Sequence, residues 1–156
     1  MWRILVDGSV GPMGADSDLA AFVEAFSEWV EACWFDERDV TGRRLEVVLR
    51  FAPDLVLVGS LSLVARLVPA VAGAGEEHVG AALAHHLVVT GPDPGREALI
   101  RDVVLGAGAG PAARADLLAR HGSEAVTRAA LESASFLTQV LADREGVVPS
   151  SILRDL

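Results

Sequence analysis

The chain has 156 residues, of which 51% are hydrophobic and 22% charged, so it has ample material for a core, and its composition excludes a disordered chain. Its net charge of −9 disfavours nucleic-acid binding, because an acidic surface repels a phosphate backbone. The single cysteine, Cys33, excludes an internal disulfide and fits a reducing, cytoplasmic setting.

The composition carries two further marks. All 13 basic residues are arginine, and Lys, Asn and Tyr are absent, a pattern expected of a GC-rich genome. The acid is unevenly spread. Asp7, Asp16, Asp18, Glu24, Glu28, Glu31, Asp36, Glu37 and Asp39 are accompanied over that span by one base, Arg38. Residues 1–146 are expected to form one domain and residues 147–156 a C-terminal tail. Arg3 is followed by only three apolar residues before Asp7, which does not read as a signal peptide. The longest apolar region, Phe51–Ala72, is interrupted by Pro53, Asp54, Arg66 and Pro69, and no membrane segment is expected.

In chain order, Trp2–Val6 reads as a short buried strand ended by Asp7-Gly8. Asp16, Ser17 or Asp18 can cap a following helix. On that helix Phe22, Phe26, Trp29 and Cys33 recur at spacings of four, three and four, opposite Glu24, Glu28 and Glu31. The segment from Asp36 to Arg44 is polar and turn-like. Thr41-Gly42 would close a hairpin onto a strand at Leu45–Phe51, and Leu55–Val58 reads as another strand. Helices are expected at about 61–71, 76–85 and 94–105, with a strand at Leu87–Thr90 between the last two. Pro94 suits a first helical position after an Asp93 cap. Pro111–His121 and Ser123–Glu145 read as helices ended by Gly122 and Gly146. The fold class expected from this order is α/β: a small sheet, mixed if the hairpin forms, flanking helices, and a mainly helical C-terminal half.

The chemistry-bearing candidates are few. A carboxylate just past a strand end lies where open α/β sheets place ligands. Asp7, helped by Asp16, Asp18 and Asp93, would in that setting hold Mg²⁺ or Mn²⁺ and activate water against a phosphodiester. The run Arg3–Val10 (RILVDGSV) resembles the first strand of PIN and NYN nucleases, which opens their acidic metal site. Ala81–Gly91 is loosely similar to the helix-to-strand passage of a PIN domain. The resemblance implies a divalent-metal ribonuclease with Asp7 as its catalytic carboxylate. The plainer reading, and the preferred one, makes Asp7-Gly8 a turn and Asp16 and Asp18 helix caps, with no catalytic residue and no cofactor.

Gly59-Ser60-Leu61-Ser62-Leu63 lacks the final glycine of a nucleophile elbow. His78 and His85 are two helical turns apart, too far for one zinc without further ligands. Arg96 near the start of its helix can assist an anion, but Pro92 and Pro94 remove two backbone donors, so this loop reads as a connection. Trp29, Trp34 and Phe35 form an aromatic cluster suited to a partner, and Ile152, Leu153 and Leu156 in the tail are suited to docking in a groove. The leading functional expectation is therefore a small, acidic, non-catalytic interaction or regulatory domain that self-associates or joins a larger assembly. A metal-dependent phosphodiesterase is the first alternative and a small-molecule binding domain the second.

Overall fold

A computed structural model describes residues 14–72, 79, 83 and 94–156. Seven helices are delimited among them: α1 (Gly14–Trp34), α2 (Arg38–Leu49), α3 (Pro53–Val71), α4 (Pro94–Gly106), α5 (Pro111–His121), α6 (Ser123–Glu145) and α7 (Pro149–Asp155). There is no strand among the described residues, and the fold is helical. The α/β expectation is overturned. Trp2–Val6 and Leu87–Thr90 lie outside the described residues; of the other two expected strands, Leu55–Val58 is helix and Leu45–Phe51 is helix to Leu49, with Arg50 and Phe51 in the turn that follows.

Leu45–Phe51 is the clearer of the two corrections. On a strand Leu45, Val47 and Leu49 would share a buried face. Instead Val48 is fully buried while Val47 and Leu49 are 42% and 50% exposed. Val40, Thr41, Arg44, Leu45 and Val48 are the partly or fully buried positions, which is the periodicity of an amphipathic helix. Thr41 and Gly42 sit within its second turn, where the Thr41 hydroxyl donates to the Glu37 carbonyl at 2.9 Å. The LVLV run at 55–58 belongs to the first turns of α3, with Pro53 at the first helical position, where its missing N–H costs nothing. A short apolar run lacks the length that would separate a strand from a buried helix.

The chain divides into two units, residues 1–59 with 138–156, and residues 60–137. Helices α3 and α6 each contribute to both. In the first unit, α1 packs on α2 and α7. Its core is aromatic. Phe22 stacks with Phe26 at 6.3 Å and meets Phe51 edge-on at 5.9 Å, and Phe26 meets Trp29 at 5.7 Å. Gly59 lies directly beneath Phe22, where a Cβ would come within 2.7 Å of the ring. The break between the strand expected at Leu55–Val58 and the helix expected from about residue 61 is thus absent, and Gly59 is a point of close helix–helix approach within α3.

The α1–α2 turn is a Schellman motif. The Glu37 amide donates to the Ala32 carbonyl at 2.9 Å and the Asp36 amide to that of Cys33 at 3.2 Å. Its left-handed position, normally glycine, is Asp36 with φ 53°. The α6–α7 turn closes likewise, with Gly146 at φ 68° and the Val147 amide on the Ala142 carbonyl at 3.0 Å. Gly122, at φ 84°, ends α5, so the limits expected for α5 and α6 are those observed.

In the second unit, α4 packs on α5. Leu117 approaches Gly106 so closely that a Cβ there would lie 3.0 Å from its methyl. The core takes Leu63, Val64 and Leu67 from α3, Ile100 and Val103 from α4, and Val126 and Ala130 from α6. Val79 and Leu83 are helical and buried. Among the described residues, α3 alone is long and apolar enough to cross a membrane, with 19 residues and a mean hydropathy of 1.8, and half of it is buried inside the protein.

Two substitutions test these joints by urea denaturation. Gly59→Ala should destabilise by about 1–2 kcal/mol, because overpacking against the buried Phe22 outweighs the gain in helix propensity. Asp36→Gly should stabilise by about 1 kcal/mol by relieving the left-handed residue, since its ion pair with Arg38 is almost fully exposed.

Candidate functional site

Two places on the described chain have the makings of a site, one in each unit. The first is the surface of the first unit. By sequence, residues 1–59 and 138–156 hold fourteen carboxylates against seven arginines, a net charge of −7 out of the total of −9. All five exposed large hydrophobic residues found among the described residues belong to this unit: Phe35, Val47, Leu49, Val147 and Val148.

Phe35, 55% exposed, follows the last turn of α1 beside the half-buried Trp34. One turn earlier, the Glu31 carboxylate accepts a hydrogen bond from the Ser150 backbone amide at 3.3 Å. That bond ties the start of α7 to the end of α1, and so brings the Val147-Val148 turn to the same end of the unit as Phe35. Pro149 fixes the helix start and is itself buried. The flanking Glu28 is held by Arg44 of α2 at 2.7 Å, an exposed pair worth ~0–1 kcal/mol.

The residues expected to meet a partner are thereby sorted. Trp29 is 7% exposed and sits in the aromatic core. Ile152 and Leu153 are buried on α7, the helix that packs on α1, and Leu156 is half-buried. Trp34 and Phe35 remain accessible. Val147 and Val148 were missed because the VVPSS segment reads as the beginning of a tail; the Pro149 helix start was the signal available in the sequence. Cys33, on the same turn of α1 as Trp34, is half-buried, and burial pushes its thiol up from the ordinary range.

The second place is a cleft of about 440 Å³ in the second unit. It is lined by Arg96 in the first turn of α4, His121 at the end of α5, and Arg128 and Glu132 on α6, over Ile100 and Ala129. Arg96 donates to Glu132 at 2.6 Å. His121 Nε2 lies 2.9 Å from Asp102 Oδ2, which also accepts from Arg120 at 2.9 Å. Arg120 in turn holds Asp116 at 2.8 Å. The sequence singled out Arg96 alone; the other lining residues are brought to it by helix packing.

For the metal-dependent reading, Asp7, Asp93 and the side chain of Asp16 lie outside the described residues, as do His78, His85 and His86. Asp18 is exposed on α1. Among the described residues no group of three or more His, Cys, Asp or Glu side chains is placed to hold a metal ion. The Ser60 of the incomplete nucleophile elbow is fully buried within α3. No protein-family model matches the chain, and neither a curated protein nor a solved structure is found that matches it.

The thiol provides a direct check on the end of α1. Its raised pKa leaves less thiolate at neutral pH than an exposed cysteine has, so Cys33 should alkylate more slowly than free glutathione at pH 7.5. Its rate should keep rising with pH after that of glutathione has levelled off, as followed by iodoacetamide labelling and mass spectrometry.

Proposed function

We propose that the chain is a non-catalytic helical interaction module whose first unit docks a protein partner carrying basic and apolar side chains. The supporting observation is the coincidence, in one unit, of the five exposed large hydrophobic residues and most of the net negative charge. Exposed apolar side chains set among charged ones have the make-up of an interface, in which the apolar centre contributes binding energy and the charged rim contributes steering.

The sign of the charge chooses the partner. Two copies of a surface with this excess of carboxylates repel each other, whereas a basic surface is attracted to it. Phe35 is the anchor of this reading, since a large aromatic beside Trp34 at a helix end is the kind of residue that dominates interface energetics. The Val147-Val148 turn supplies a second apolar contact at the same end.

The probe is a fluorescein-labelled amphipathic helical peptide of leucine and arginine, titrated with the protein and read by fluorescence anisotropy. Binding should weaken as salt rises, and Phe35→Ser and Val148→Ser should each reduce affinity by about tenfold, an energy of ~1.4 kcal/mol, without lowering Tm. Equal affinity for a leucine–glutamate peptide, or unchanged affinity in both variants, would overturn the proposal. So would a stable dimer in sedimentation that Phe35→Ser dissociates, since the surface would then belong to a second copy.

A further inference from the structure

The cleft of the second unit has a chemistry unlike the rest of this acidic chain. Its four charged or titratable lining residues are two arginines, one histidine and one glutamate. Three helices deliver them: α4 brings Arg96, α5 ends in it with His121, and α6 presents Arg128 and Glu132 one turn apart. The polar groups converge beside the half-buried apolar side chains of Leu99 and Ala125, which rest on the buried Ile100 and Ala129. A volume of about 440 Å³ lies in the ~300–1,000 Å³ range of small-molecule sites, which likewise combine an apolar lining with a few placed polar groups.

The existing bonds define what the cleft lacks. Glu132 accepts from Arg96 at 2.6 Å, so these two charges balance each other and the guanidinium is held in a set direction. His121 is oriented by Asp102, which is itself held by Arg120. Arg128 is different: it makes no hydrogen bond or ion pair among the described residues, and it stands one turn from Glu132 on the same helix. One arginine without a carboxylate of its own, beside a balanced Arg–Glu pair, gives the lining one net positive charge before His121 is counted.

We infer that this cleft binds a small organic monoanion, a carboxylate carried on a short apolar body. Arg128 takes the carboxylate, with Arg96 as the second guanidinium, and the half-buried Leu99 and Ala125 receive the apolar part. Guanidinium and carboxylate match as a planar fork, which a lysine could not provide. The single excess positive charge sets the selectivity: one carboxylate neutralises it, whereas a doubly charged phosphate ester would leave one negative charge uncompensated beside the Arg96–Glu132 pair.

The test uses the full chain and hexanoate, with hexanol, phenyl phosphate and inorganic phosphate as comparison probes, in thermal unfolding and calorimetric titration. Hexanoate at about 10 mM should raise Tm, because a ligand bound only by the folded state stabilises it. Hexanol and inorganic phosphate at the same concentration should leave Tm unchanged, and phenyl phosphate should bind more weakly than hexanoate. Arg128→Gln should weaken hexanoate about tenfold while keeping the unliganded Tm, and Arg101→Gln, a surface residue paired with Glu97, should bind as the parent does. No shift with hexanoate, an equal shift with hexanol, undiminished binding in Arg128→Gln, or tighter binding of either phosphate would each overturn the inference. None of these results bears on the peptide surface of the first unit.

Discussion

The packing of the first unit turns on the ring of Phe22. It is fully buried, stacks on Phe26 one turn along α1, receives Phe51 on its edge, and lies against the bare backbone of Gly59 on α3. A buried aromatic of this size contributes a large share of a small core, and its position is set by contacts on several sides at once. The joint between α2 and α3 is placed by Phe51, the approach of α3 by Gly59, and the face that α1 turns inward by Phe22 and Phe26 together. An acidic, aromatic-poor chain thus concentrates much of its aromatic content at one junction.

Around that junction the helix ends do the remaining work. The turns that follow α1 and α6 are each closed by an amide bonded to the carbonyl five residues back, once past glycine and once past Asp36 in the left-handed position. Their closure brings the end of α1 and the start of α7 together, and the Glu31–Ser150 bond fastens them. A consequence is the exposure of Phe35, Val147 and Val148. They lie just beyond the helices whose inner faces are occupied by Trp29, Ile152 and Leu153, so they face solvent while their sequence neighbours are buried.

The two candidate sites draw on different physics. The surface of the first unit relies on apolar area and long-range charge, both of which belong to the unit as a whole. The cleft of the second relies on the placement of a few charges, where one unbalanced guanidinium matters because its neighbours are already paired. An acidic protein can therefore hold an anion locally while attracting a basic partner elsewhere, since charges are screened beyond ~10 Å at moderate salt.

Much of the helical framework was legible in the residues themselves. The Phe22-Phe26-Trp29-Cys33 stripe located α1, Pro94 opened α4, and Gly122 and Gly146 stopped α5 and α6, because periodicity and termination are local properties. The uneven acidity was likewise fixed by composition. What only tertiary structure decided was the state of LEVVL and LVLV, whose β-branched residues and short length suit strand and helix alike. Val48 turning inward and Gly59 meeting Phe22 settle both as helix, and neither contact exists without the partner helix. The same holds for the sites. A sequence can nominate Trp34, Phe35 or Arg96 by type, but which apolar side chains remain exposed, and that Arg96, His121, Arg128 and Glu132 share one cleft, follows from helices distant in the chain packing together.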